Sequence, residues 1–219
     1  KGFDPQAIKE MEGSILDLAL ATGEDLSLAS EVVSASINAF NLEAEDASRI
    51  SNTLASAASD SSIQLNTFAT AFGHAGASAH AVGVNIEELS AMMGVLMDNG
   101  IKASKAGTGL RKIFMKLNET GTTFSSVLEE AAEGEMDLNR AQELVGTTAA
   151  NQLLVLTDNL EKVNELSSAY ATNTTKLKEM ADLMGQTTFA KVKKLESAFE
   201  GFRLELGEVL SEMLMPMIE

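Results

Sequence analysis

Apolar residues recur every three or four positions along most of the chain, a spacing that places them on one face of an α-helix. The first such run ends at Gly23, the second covers about residues 26–40, and the third covers 43–62. The only two prolines, Pro5 and Pro216, lie near the two ends, so the interior lacks the residue that most strongly breaks helices. The pattern therefore predicts an all-α fold.

A fourth helix, over residues 63–80, is rich in small side chains. Leu65, Phe68 and Phe72 share one side of it. Small residues let two helix backbones approach closely, because little side chain separates them. The positions at which we expect a neighbouring helix to come close are Gly73, Gly76 and Ala77.

The clearest helix start lies at Asn85. This residue and Glu88 have the spacing of a capping box, in which each side chain accepts a hydrogen bond from the other's backbone N–H. Val84 before the cap and Leu89 after it have the spacing of a hydrophobic staple. We predict that this helix ends at 98–100, where an asparagine or glycine can adopt the left-handed conformation.

Similar helix starts occur at Glu43 and at Asp137, each with an apolar residue directly before the polar cap. The starts at Glu43 and Asn85 are about forty residues apart, a period typical of stacked helical hairpins. We interpret the starts as quasi-repeated elements of a multi-helix bundle built from such hairpins. The alternative is that unrelated helices acquired the same cap independently.

The second half of the chain has shorter segments. Residues 106–117 predict a helix that ends at Gly121, and glycines break the stretch 124–146 into short helices. Thr147 is predicted to begin one longer helix that continues to Leu166.

The end of the chain carries a heptad pattern, with apolar residues at alternating steps of three and four. It predicts a longer, coiled-coil-like C-terminal helix, the alternative being an ordinary amphipathic helix packed on its own bundle. The apolar positions are Val192, Leu195, Phe199, Phe202, Leu206, Val209 and Met213.

We therefore expect two parts. Residues 1–121 form a helical hairpin subdomain with quasi-repeated helix starts, and residues 122–219 form a helical subdomain that ends in the heptad helix. Because the chain begins at Lys1 rather than at a methionine, we interpret it as a fragment of a longer protein.

Composition narrows the function classes. A net charge of −16 argues against nucleic-acid binding, which depends on lysine and arginine to neutralise phosphates. The absence of cysteine excludes disulfides, thiolate metal sites and cysteine nucleophiles, and it fits a reducing cytosol. No apolar run approaches the roughly 20 residues of a membrane span, so none is expected in this fragment.

Candidate chemistry is sparse. His74 and His80 are six residues apart and do not share a helix face as a metal pair would. Acidic residues cluster at Glu87/Glu88 and at 129–133, and glycoside cleavage does use two carboxylates. In a chain with 32 acidic residues, however, such clusters are expected on solvated helix faces.

Two further motifs of catalysis or phosphate binding are lacking. The chain has no Gly-x-Ser-x-Gly elbow, and its glycine-containing stretch 100–109 lacks the Walker spacing and a preceding strand. We interpret the glycines of this stretch as helix termination and re-initiation. The sequence thus predicts no catalytic, cofactor-binding or metal-binding residues, no cofactor, and no enzyme.

Three segments, in their order and spacing, resemble the most recognisable block of the tape-measure family of long-tailed phages. The resemblance extends from about Leu18 to the end of the chain and is strongest between 83 and 111. The segments are Gly83-Val84-Asn85-Ile86-Glu87-Glu88-Leu89-Ser90, Asn99-Gly100-Ile101 and Ala106-Gly107-Thr108-Gly109-Leu110-Arg111.

This resemblance implies a structural virion component that helps set tail length during assembly and lies inside the tail tube. It implies self-association through helices, and contacts with the tail tube protein, tail-tip proteins and tail assembly chaperones. The implied location is the virion tail, after assembly in the cytoplasm of a bacterial host. Some members carry peptidoglycan-degrading domains elsewhere, but no counterpart is found here.

Two other functions remain open from the residues. Helices rich in Ala, Ser, Glu and Met also build cytosolic signalling or adaptor bundles, such as chemoreceptor domains, although glycines interrupt this chain where those bundles sustain long heptads. A helical cell-wall hydrolase with paired carboxylates is the third interpretation.

Overall fold

The computed structural model describes residues 5–61 and 64–185, with side chains from residue 11 onward. Over these residues all regular structure is helical, which confirms the predicted all-α, multi-helix fold. The predicted heptad helix lies outside the described residues. The helices are α1 (Pro5–Thr22), α2 (Leu26–Phe40), a 3₁₀ turn (Ala44–Asp46), α3 (Ala47–Asp60), α4 (Leu65–Ala81), α5 (Ile86–Asp98), α6 (Ala103–Thr120), α7 (Phe124–Ala132), α8 (Leu138–Val145), α9 (Ala150–Asp158), α10 (Leu160–Thr172) and α11 (Lys176–Gly185).

All three predicted helix starts are confirmed. Asn85 and Glu88 exchange both hydrogen bonds of the capping box, at 2.8 and 2.9 Å. The backbone N–H of Glu43 donates to the carboxylate of Asp46 at 3.2 Å. The carboxylate of Asp137 accepts from the N–H three residues on, at 2.8 Å. These caps satisfy N–H groups that a helix start otherwise leaves unpaired.

The predicted end of α5 is confirmed, and the glycine rather than the asparagine provides it. Asn99 keeps φ at −86°, whereas Gly100 adopts φ +80°. A left-handed φ is readily available to glycine, which has no Cβ. The next helix then begins at Ala103, three residues earlier than the sequence predicted.

The single long helix predicted from Thr147 to Leu166 is wrong. Residues 147–149 form a turn, and two helices follow, which meet at Asn159. The side-chain amide of Asn159 donates to the carbonyl of Val155 at 2.8 Å. Asparagine competes in this way for carbonyls that the helix ladder would otherwise use. The apolar spacing continues across the break and conceals it.

Helices α2, α4 and α6 form a layer with α4 between the other two. A Cβ added to Gly76 of α4 would lie 2.8 Å from the Cβ of Ala39 in α2. One added to Gly107 of α6 would lie 2.9 Å from the Cα of Ala71 in α4. We call α2, α4 and α6 the glycine-packed layer, because glycine is what permits these distances.

Two expectations about small residues are wrong. Gly73 and Ala77 face solvent. Of the three predicted positions, only Gly76 lies against a neighbouring helix. Gly107 and Gly109 lie inside α6 and are buried against α4 and Gln152, so they do not mark helix re-initiation. In both cases the contact depends on which face a distant helix covers.

Helix α3 contacts α1, α5, α10 and α11, and it also contacts α2 and α4 of the glycine-packed layer. Helix α1 also packs along α11, so the first and last described helices are neighbours. Contacts between α1 or α3 and α11 join residues from both sides of position 121. The division into 1–121 and 122–219 stays a prediction.

Candidate functional site

Helix α3 buries a run of uncharged polar side chains in addition to its apolar ones, such as Ile50 and Leu54. Burying a polar group without a hydrogen bond is unfavourable, so such a concentration indicates a specific role. We define the polar seam as these side chains together with the buried carboxylate of α5 that faces them. Its members are Ser51, Asn52, Thr53, Ser56 and Glu87.

Asn52 fastens the turn between α10 and α11 to α3. Its side-chain amide donates to the carbonyl of Asn173, and its Oδ1 accepts from the N–H of Leu177 at 3.0 Å. The side chain of Asn173 in turn accepts from the N–H groups of Thr175 and Lys176, at 3.2 and 3.0 Å. One asparagine thereby positions the start of α11, more than 120 residues along the chain.

Glu87 ties the start of α5 to α3. Its side chain is 4% exposed and accepts from Arg49 Nη1 at 2.8 Å and from Thr53 Oγ1 at 3.4 Å. The expectation that the Glu87/Glu88 cluster lies on a solvated face is therefore wrong for Glu87. A carboxylate tolerates burial when it is paired with a cation and hydrogen-bonded, as here.

Some hydroxyls of this region lack partners. The side-chain oxygens of Ser51, Ser56 and Tyr170 are buried and, within the described residues, make no hydrogen bond. Burial raises the pKa of the Tyr170 phenol, and the nearby charges of Asp60 and Asp98 raise it further. The region around α3 thus contains polar groups that water would satisfy better than the folded protein does.

The acidic cluster at 129–133 is organised by an arginine that the sequence interpretation missed. Arg140 of α8 makes a two-point ion pair with Glu130 of α7, with Nη2 donating to Oε2 at 3.0 Å and Nε donating to Oε1. The hydrogen bond from Arg140 is the main reason that the pKa of Glu130 is lowered. A general acid in glycoside cleavage requires a raised carboxyl pKa, so Glu130 is tuned in the opposite direction.

The two histidines do not come together with other ligands. His74 and His80 are both exposed, and the ring of His80 lies 6.4 Å from that of Phe40. Across residues 5–61 and 64–185, no three histidine or carboxylate side chains are grouped so that they could hold a metal ion. None of the helices in the described part is long and apolar enough to cross a membrane.

One signal in the sequence does point to the polar seam. Residues 50–59 contain no charged side chain, although 22% of the residues in the whole chain are charged. A polar stretch without charges is compatible with burial, whereas lysine and glutamate are almost never fully buried unless paired. The distant partners of Asn52 and Glu87 leave no such local signal.

A profile of the family described as phage-related minor tail protein matches residues 1–200. The chain belongs to this family. The predicted resemblance to a phage tail family, carried by residues 83–111, is thereby confirmed.

Two tape measure proteins are similar to this chain. It is 29% identical over 241 aligned residues to the tape measure protein of Pneumococcus phage Dp-1, covering 97% of the chain and 21% of that protein. It is 23% identical over 236 residues to the probable tape measure protein of Escherichia phage P2, covering 94% of the chain and 29% of that protein. The chain thus spans less than a third of these curated relatives. No solved structure matches it.

Proposed function

We propose that this chain is a structural segment of a tape-measure protein, which helps set tail length during assembly and lies inside the tail tube. The observation that carries the proposal is the similarity to two tape measure proteins over nearly the whole chain. The all-helical fold supports it, because an extended helix converts residue number into length at about 1.5 Å per residue.

The described ionisable groups support a structural rather than a catalytic role. Glu87 and Glu130 each hold two helices together through an arginine, and the side chain of Glu88 caps its own helix. None of these three carboxylates is placed as a free acid or base, because each is already bound by an arginine or a backbone N–H. Since the tape-measure family is structural, we propose that the chain is not an enzyme.

The proposed location is the virion tail, after assembly in the cytoplasm of the bacterial host. The proposed partners are other copies of the chain, the tail tube protein, tail-tip proteins and tail assembly chaperones. A ruler requires an extended molecule, whereas the described helices fold back on one another. We therefore propose that the bundle opens in the tail at glycine-containing turns such as those at Gly100 and Gly121.

Tail length in phage carrying altered full-length protein tests the function. Deletion of residues 122–145, which include α7 and α8, should shorten the tail by roughly 36 Å at about 1.5 Å per residue. Replacing the same residues with an equal number of alanine-rich helical residues is the matched control and should preserve the length. Tails of unchanged length after the deletion would contradict the proposal.

Opening of the bundle has its own test. Cryo-electron microscopy of an intact tail should show this segment as extended helices along the tube axis. Density that matches the compact arrangement of α1 to α11 inside the tube would contradict the proposed opening without affecting the assignment to the tail.

A further inference from the structure

Helix α6 carries a concentration of positive charge in a strongly acidic chain. Residues 102–120 contain five of the sixteen lysine and arginine residues and only one of the 32 acidic residues. The buried face of α6 packs in the glycine-packed layer, so the charged residues share the opposite, exposed face. We call this the basic face, and its residues are Lys105, Arg111, Lys112, Met115 and Lys116.

Most of this charge is not neutralised within the molecule. Lys116 pairs with Glu119 at 2.6 Å, and Lys112 donates to the hydroxyl of Thr148 at 3.3 Å. Within the described residues, Lys105, Arg111 and Lys112 have no carboxylate within 4.0 Å. Three cations are therefore available to an acidic partner.

The basic face also has an apolar centre. The side chain of Met115 is one of the few large apolar ones on the described surface, at 44% exposure, and it lies between Arg111, Lys112 and Lys116 on the helix. Methionine and arginine are enriched at protein interfaces and lysine is depleted, so we assign Met115 and Arg111 to the centre of the contact and the lysines to its polar rim. An apolar centre surrounded by cations fits a protein surface better than the uniformly charged backbone of a nucleic acid.

The same chain presents a surface of the complementary kind. Glu129, Glu133 and Glu135 are exposed around an open depression beside the Glu130–Arg140 pair. Leu138, at the start of α8 in the following turn, is 51% exposed. We call these four residues the acidic face. Like the basic face, it combines exposed ions with one exposed large apolar side chain, but its ions carry the opposite charge.

We propose that the basic face of one copy docks on the acidic face of a second copy. The inference rests on the self-association included in the proposed function and names the surface that performs it. Because the two faces are different patches, a single contact of this kind is heterologous, and repeating it builds a ring where the rotation between copies closes and an open row where it does not. Charge pairing fixes the partner and the register, and Met115 and Leu138 supply the apolar contact.

Sedimentation velocity on charge-reversed chains tests this docking. One variant carries Lys105→Glu, Arg111→Glu and Lys112→Glu, and the other carries Glu129→Lys, Glu133→Lys and Glu135→Lys. The wild type should associate at ~0.1 M salt and dissociate at ~1 M, where charge interactions are screened within a few ångströms. Each variant alone should associate at least about tenfold more weakly, and an equimolar mixture of the two should regain association.

Matched controls keep the test decisive. Lys162→Glu with Lys178→Glu reverses exposed lysines outside the basic face and should leave association unchanged. Helicity by circular dichroism verifies folding, and a Lys105→Gln, Arg111→Gln, Lys112→Gln variant replaces the reversed chain if that chain does not fold. Loss of association in the lysine control would contradict a specific face.

The docking would also be overturned by a wild type that stays monomeric at ~0.1 M salt, including one that instead binds duplex DNA through the basic face, and by variants that associate as strongly as the wild type. The tail-length test stays independent of them, because the 122–145 deletion and its alanine-rich control both lack the acidic face and differ only in residue number.

Discussion

The glycine-packed layer and the polar seam hold the same molecule together by opposite means. In the layer, helix backbones approach so closely at Gly76 and Gly107 that a methyl group would collide. Around the seam, the helices are joined by hydrogen bonds that Asn52 and Glu87 accept from Leu177 and Arg49, and the hydroxyl of Tyr170 has no hydrogen-bond partner in the described part. The glycine-packed layer is held by complementary shape, and the polar seam is held by hydrogen bonds.

This difference determines whether the helices separate more easily at the polar seam or in the glycine-packed layer. When apolar surfaces separate, they lose their packing contacts and become exposed to water, which is unfavourable. When the polar seam parts, water replaces the lost hydrogen bonds and also satisfies hydroxyls that were unpaired. We therefore infer that the molecule opens first around α3 and α11, and that the glycine-packed layer stays intact until later.

The largest expected effect comes from removing the hydrogen bonds of the polar seam. Asn52→Ala leaves the N–H of Leu177 and the carbonyl of Asn173 without their partner, so the free energy of unfolding should fall by about 2–4 kcal/mol. Urea denaturation followed by circular dichroism measures it. Asn118→Ala, at an exposed position in α6, is the control and should change it by less than about 0.5 kcal/mol. Equal effects at both sites would show that the hydrogen bonds of Asn52 do not stabilise the contact between α3 and the start of α11.

A smaller effect of a different origin is expected in the glycine-packed layer. Gly107→Ala places a methyl group 2.9 Å from the backbone of Ala71, which should destabilise the fold by about 1–3 kcal/mol. Gly94→Ala is the matched control, because it is also a buried helical glycine but its nearest neighbour would be 3.8 Å away. This change should stabilise by about 0.5–1 kcal/mol, since alanine favours helix. Thermal unfolding of both variants should show opposite signs, and equal signs would refute the close approach.

The smallest effect concerns the unpaired phenol. Tyr170→Phe removes a buried hydroxyl without a partner, so stability at neutral pH should stay the same or rise by up to about 1 kcal/mol. A destabilisation of more than about 1 kcal/mol would mean that the hydroxyl is hydrogen-bonded.

The raised pKa of Tyr170 adds a pH dependence with a definite sign. The unfolded chain loses the phenolic proton near its ordinary pKa of 10.0, whereas the folded chain keeps it to higher pH. Stability from this group is complete below pH 10 and declines as the pH rises above that value. Tyr170 is the only tyrosine, so ultraviolet absorbance of tyrosinate follows it directly, and the Phe variant should lose this part of the alkaline decline.

Features encoded within a few residues could be predicted from the sequence. The capping box of Asn85 and Glu88 depends on two side chains three positions apart, and Gly100 ends α5 through its own backbone. Helix type and most helix ends followed from the same local physics.

Features that depend on a distant partner could not be predicted. Glu87 looked like its neighbour Glu88 until Arg49, 38 residues earlier, was placed beside it. Gly73 and Gly76 are equivalent in sequence, and only the position of α2 distinguishes them. The buried Asn52 likewise required the turn at 173–177.

Native-state hydrogen exchange tests the order of opening most directly. The amide of Leu177, which donates to Asn52, lies at the polar seam, and the amide of Phe72 lies in the middle of α4 in the glycine-packed layer. The account predicts that Leu177 exchanges through an opening of lower free energy than Phe72, and that Asn52→Ala lowers the value for Leu177 further while Phe72 stays more protected. Equal protection of the two amides, or earlier exchange at Phe72, would contradict it.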